Sequence, residues 1–133
     1  MPHPTRSTWS HPLLIAVLML AVPACSGSPG TVPASKPFSG TVKTADGKPV
    51  GNVLVHFHPT KPGYSCAAEV DAAGSFTSEA PPGTYAYSVR RSEKAKAKDS
   101  DAALKTVTAK YQETDLKRTV TIDGGATVAI VLE

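Results

Sequence analysis

The sequence predicts an all-β fold, a seven-stranded antiparallel β-sandwich placed after a leader and a flexible tether. Three observations predict it. From Phe38 onward, apolar and polar residues alternate with period two in short runs. Turn residues interrupt these runs every eight to twelve positions, the spacing of a sandwich rather than of βαβ units. The 12 Pro and 10 Gly of the 133-residue chain are spread along it, which favours many tight turns over long helices.

The first strand is expected over Phe38–Thr44, ending at Ala45-Asp46-Gly47-Lys48-Pro49, where Asp-Gly supplies the positive backbone angle of a tight reversal. A hairpin into the second strand is expected there. In that second strand Val53, Val55 and Phe57 share one face and Asn52, Leu54, His56 and His58 the other, because successive side chains alternate across a pleated sheet. The Val and Phe face is the expected core. After a loop over Pro59–Gly63 comes a third strand, Cys66–Asp71, which Asp71-Ala72-Ala73-Gly74 turns into a fourth, Ser75–Glu79, as a hairpin with Phe76 as its main apolar residue. Pro81-Pro82-Gly83 fits a type II turn leading to a fifth strand that places Tyr85, Tyr87 and Val89 on one side.

The segment Arg90–Lys110 is charged and Ala-rich and loses the alternation. It reads as a long loop or, equally, as a loop holding a short helix capped by Ser100, with Asp101 in its first turn. Two strands close the sandwich, Lys117–Ile122 and Ala126–Leu132, with Val120 and Ile122 expected to face Val128, Ile130 and Leu132 across a hairpin at Asp123-Gly124-Gly125.

Residues 1–24 differ in kind. A short region with His3, Arg6 and His11 leads into an unbroken apolar run, Leu13–Val22, and then to Val22-Pro23-Ala24-Cys25. Ten apolar residues fall well short of the roughly 20 that a spanning helix needs, so the layout is that of a removable export signal. An ordinary signal would leave Cys25 free to form a disulfide. A Cys directly after Val-Pro-Ala instead resembles the lipobox of bacterial lipoproteins, although Pro23 stands where a small residue is usual. Lipidation of Cys25 is the expectation adopted, with the membrane as partner through that anchor and an extracytoplasmic location in the bacterial cell envelope.

The stretch Ser26–Lys36, SGSPGTVPASK, has no apolar periodicity and reads as a tether with a typical end-to-end distance of about 18 Å. The expected division is therefore leader 1–24, lipidated Cys and tether 25–36, and sandwich domain 37–133. With Cys25 blocked, Cys66 is left as a single thiol, expected to be a small buried hydrophobe because Ala68 and Val70 share its face.

Three stretches together carry a family likeness: Phe38-Ser-Gly-Thr-Val42 leading to Asp46-Gly-Lys-Pro-Val-Gly-Asn-Val-Leu-Val-His-Phe57, then Ala73-Gly-Ser-Phe76, then Pro82-Gly-Thr-Tyr85. They resemble the carboxypeptidase regulatory-like, or transthyretin-like, domain. The ending from Ala109-Lys-Tyr111 to the final Val128–Leu132 run is similar to small bacterial lipoproteins that carry this domain alone. The resemblance covers roughly residues 37–133 and implies a prealbumin-like sandwich, a fold most of whose members have no assigned catalytic activity.

Candidate chemistry is sparse. His56 and His58 would lie on one strand face about 6.5 to 7 Å apart, near enough for both imidazoles to reach one copper, zinc or iron ion, although an outward strand face is also where solvated histidines belong. Intradiol dioxygenases, on a related sandwich, hold iron with two Tyr and two His. Here Tyr64, Tyr85, Tyr87 and Tyr111 are the available tyrosines, and they read better as core or rim. Hydroxyisourate hydrolases of the transthyretin fold end in Tyr-Arg-Gly-Ser, whereas this chain ends Ala129-Ile-Val-Leu-Glu133. The sequence shows no nucleophile elbow, phosphate-cradling Gly loop or CxxC.

With 14 basic and 11 acidic residues the net charge of +3 is small and well mixed, so nucleic acid is not an expected partner. The run Arg90, Arg91, Lys94, Lys96 and Lys98, interrupted by Glu93, Asp99 and Asp101, reads as a solvated loop rather than an anion-binding patch. The expected function is that of a non-enzymatic, cofactor-free, lipid-anchored envelope protein whose sandwich is a structural or interaction module. The alternative is a metal-binding protein or metal-dependent enzyme using His56 and His58.

Overall fold

A computed structural model describes residues 33–125 and 127–133. The leader, Cys25 and the tether up to residue 32, on which the expectations of export and lipidation rest, lie outside the described residues. Seven strands form two sheets: β1 (Lys36–Thr44), β2 (Val53–Pro59), β3 (Cys66–Glu69), β4 (Ser75–Ala80), β5 (Gly83–Arg91), β6 (Thr119–Ile122) and β7 (Thr127–Leu132). The sheet orders are β4-β1-β7 and β3-β2-β5-β6. The fold is therefore a mostly β structure of two sheets, as the alternation indicates, and β1 begins at Lys36, so the expected tether gives up its last residue to the first strand.

The core lies between the sheets. Val53, Val55 and Phe57 are fully buried, and Val42, Phe76, Val89, Ile122 and Ile130 join them from five other strands. All three phenylalanines meet at the centre: the Phe38 ring is edge-on to Phe57 at 5.6 Å and to Phe76 at 6.1 Å. Burying each such ring contributes about 1.5 to 3 kcal/mol, so this cluster, drawn from both sheets, is a principal tie between them. Gly40 makes room for it. It sits opposite Phe76 on β4 and Val128 on β7, and a Cβ there would run into the Phe76 ring and the Val128 carbonyl.

Three expected hairpins are corrected. After β1 the chain does reverse, with Gly47 at φ +84 and one bridge between Lys43 and Pro49, but the pairing stops there. Asn52, at φ +58, then turns the chain into the other sheet, where its N–H donates to the Val70 carbonyl at 3.0 Å. The β3–β4 turn forms around Asp71, whose Oδ1 accepts the N–H groups of Ala73 and Ser75 at 2.9 Å each, yet β3 and β4 belong to different sheets. Likewise β6 pairs with β5 and β7 with β1, so Ile122 and Ile130 meet across the sandwich rather than along a hairpin. In each case the turn chemistry sets the local reversal, while the need to bury one face sends the next strand to the opposite layer.

Two further expectations change. β1 and β7 run parallel, so the sheets are not wholly antiparallel, and the many residues between the two strands free them from hairpin geometry. Pro81-Pro82-Gly83 is not a type II turn, because Gly83 does not take a positive φ and instead opens β5. The prolines lie at the crossover between sheets, with a bend at Pro82, tied down where the Tyr85 hydroxyl donates to the Pro81 carbonyl at 2.7 Å.

Between β5 and β6 lies a real helix, α1 (Ala97–Thr106), followed by a 3-10 turn at Ala109–Tyr111. The helix starts one turn earlier than the Ser100 cap would place it, with Lys96 at the cap position. Asp99 in its first turn and Lys105 in its last complement the helix dipole, and Ala103 and Leu104 pack onto the core. Ser100 is fully buried and its hydroxyl accepts the Ser92 N–H at 2.8 Å. Glu69, on edge strand β3, accepts the Ser92 hydroxyl at 2.5 Å and the Glu93 N–H at 2.9 Å. Packing and this polar lock together hold a helix too short to persist alone.

Candidate functional site: the His56 and His58 pair

β2 lies between β3 and β5, so its backbone is paired on both sides up to Phe57 and with β5 alone at His58. His56 stands opposite Ala67 and Ser88, and His58 opposite Ala86. Because Val55 and Phe57 point into the core, both imidazoles project from the other face of the sheet, with only small side chains directly beside them. Both histidines are half-buried.

The rings approach closely. His56 Nδ1 lies 2.6 Å from His58 Nε2, with ring centroids 4.2 Å apart and planes inclined by 74°. At that distance an N–H on one ring donates to the bare nitrogen of the other. The far nitrogen of His58, Nδ1, lies 3.4 Å from the Ser65 hydroxyl. Burial, with help from the nearby charges of His58 and Arg90, pushes the His56 pKa below the ordinary histidine value and favours the neutral imidazole.

The other candidate residues do not assemble around this pair. Tyr85, Tyr87 and Tyr111 are buried in the core, with the Tyr85 hydroxyl engaged at Pro81 and the Tyr111 hydroxyl accepting the Glu133 N–H at 2.9 Å. Burial pushes the phenol pKa of Tyr85 and Tyr87 upward, against phenolate formation. Tyr64 is 70% exposed on the β2–β3 loop. Among the described residues no group of three or more His, Cys, Asp or Glu side chains comes together.

Cys66 faces inward opposite Phe57, half-buried against the core, and among the described residues it forms no disulfide. Burial pushes its thiol up to about 11, which suits the expected role of a small hydrophobe. The basic run is dispersed along the β5–α1 connection, and Arg91 is paired with Asp101 at 3.3 Å.

One feature was not anticipated from sequence. A groove of about 500 Å³ opens at the end of the sandwich where Pro59, Pro62, Tyr64, Pro81 and Pro82 converge, with Pro33 at its margin. The runs Lys61-Pro62-Gly63 and Pro81-Pro82-Gly83 signal loops, but their meeting depends on β2 and β5 being neighbours in one sheet.

Neither family models nor curated proteins match the sequence. The structure is similar to that of a DUF3823 family protein from Bacteroides ovatus, with a TM-score of 0.48 and 16% sequence identity over 74% of this chain. The chain spans 44% of that protein's length. Among the described residues no helix is long and apolar enough to cross a membrane.

Proposed function

We propose that the chain is an exported protein of the bacterial cell envelope, held to a membrane by an acyl group on Cys25, whose carboxypeptidase regulatory-like, prealbumin-like sandwich serves as a non-enzymatic structural or interaction module. One observation carries this: Cys25 directly follows an apolar run and Val22-Pro23-Ala24, and the folded body starts only eleven residues later, at Lys36. That spacing suits a short tether between an anchor and a domain. The seven strands, divided three and four between facing layers, support the prealbumin-like assignment.

An interaction role is supported by the edge strand β7. Among the described residues it pairs only with β1, its sequence Thr127-Val-Ala-Ile-Val-Leu132 has neither charge nor proline, and Val131 is 50% exposed. Such an edge presents unpaired backbone groups that can accept a strand from a partner protein.

Metabolic labelling with a palmitate analogue, with intact mass measurement of the mature protein, tests the anchor. The expected result is an acylated N-terminal Cys25 with residues 1–24 removed, and a Cys25→Ser variant recovered in the aqueous fraction. An unmodified Cys25 or a retained leader would overturn it.

A further inference from the structure

We propose that His56 and His58 form a bidentate site for Cu(II) on the outer face of the four-stranded sheet, with the remaining equatorial positions open to water or an exchangeable ligand. The argument starts from the spacing of the two nitrogens. His56 Nδ1 and His58 Nε2 already converge to 2.6 Å. Tetrahedral zinc holds two imidazole nitrogens about 3.3 Å apart, given bonds of about 2.0 to 2.1 Å. Adjacent corners of a tetragonal copper site, with bonds of about 2.0 Å, lie about 2.8 Å apart. Once the shared N–H moves to the far nitrogen of its own ring, the pair has to open by about 0.2 Å to reach the right-angled spacing and by about 0.7 Å to reach the tetrahedral one.

The site is also organised in advance. His56 is paired on both sides, to Ala67 of β3 and Ser88 of β5, and His58 on one, to Ala86 of β5, so the separation of their backbones is set by the sheet and binding orders only side-chain torsions. Ser65 lies against the His58 nitrogen that faces away from the pair, where an outer partner fixes the orientation of a ligating ring. The side chains directly opposite, Ala67, Ala86 and Ser88, are small and uncharged. Arg90, on β5, acts in the opposite sense, because its guanidinium reaches the Ser88 hydroxyl at 3.4 Å, directly opposite His56, and its positive charge there opposes a cation.

Two protein ligands imply binding that is real but modest, suited to a loosely held, exchangeable ion rather than a buried permanent centre. Arg90 then makes the affinity tunable. Its removal should strengthen binding, which a merely adventitious surface interaction elsewhere on the chain would not do.

The test uses the mature, detergent-solubilised protein titrated with Cu(II), read by electron paramagnetic resonance and by competition with a chelator of known affinity. One equivalent is expected to show tetragonal signals with nitrogen couplings from two imidazoles. The His56→Ala and His58→Ala variants should each weaken binding roughly 10- to 100-fold, and the double variant should lose the two-imidazole signal. Arg90→Gln should bind about two- to fivefold more tightly. Circular dichroism of each variant checks that the sandwich persists. Equal binding by wild type and double variant, couplings from fewer than two imidazoles, or unchanged or weaker binding in Arg90→Gln would overturn the proposal. Cu(II) binding and Cys25 acylation are read on different atoms, so either can fail without the other.

Discussion

The Ser92 backbone N–H donates to the Ser100 hydroxyl at 2.8 Å, joining the end of β5 to the middle of α1 at a site where both serines are buried. Ser100→Ala would leave that N–H without its partner, at a cost of about 1 to 3 kcal/mol. Urea unfolding should show the loss in midpoint with an unchanged slope. Hydrogen exchange should quicken in 93–106 before it does in β2. Unaltered stability would mean that α1 is held by Leu104 and Val107 packing alone.

Gly40→Ala places a methyl group against the Phe76 ring and the Val128 carbonyl, on a strand flanked on both sides. Overpacking of this kind costs about 1 to 3 kcal/mol, and here backbone as well as side chain must yield. A thermal melt should show a clear fall. Gly47→Ala has open space around its Cβ but a φ of +84, so its loss should come from backbone strain and be smaller.

Cys66 supplies a pH dependence. Burial raises its thiol from 9.0 to about 11, so between those values the unfolded chain binds fewer protons than the folded one. Stability should therefore fall as pH rises through that window and be unaffected by this group below it. Unfolding midpoints of wild type and Cys66→Ala, compared from pH 8 upward, should diverge in slope above about 9. In parallel, iodoacetamide should react slowly at neutral pH and about tenfold faster for each pH unit up to 10.

Val131→Lys adds a charge to the exposed face of edge strand β7 without touching the core. Stability should change by less than about 0.5 kcal/mol. Under mild destabilisation the lag before thioflavin-positive aggregation should lengthen, because a charged edge resists strand addition. A shorter lag would locate the sticky edge elsewhere, on β3, β4 or β6.

The candidate site was only half legible. Period two places His56 and His58 together on the outward face, and it does so for any strand with that sequence. Their approach to 2.6 Å, the Ser65 contact and the influence of Arg90 depend on β3 and β5 lying on either side of β2. None of these follows from spacing along one strand.

By itself the sequence determined the seven strands, their inward residues and most of their turns, because alternation and the preferences of Gly, Pro and Asp are local properties of a few neighbouring residues. Only the tertiary structure decided which sheet each strand entered. The same Asp71–Gly74 or Asp123–Gly125 turn can close a hairpin or form a corner, and the choice was made by apolar faces that had to cover one another. The meeting of Phe38, Phe57 and Phe76, the parallel pairing of β1 with β7 and the helix locked by Ser100 are consequences of that burial, which no single stretch of the chain contains.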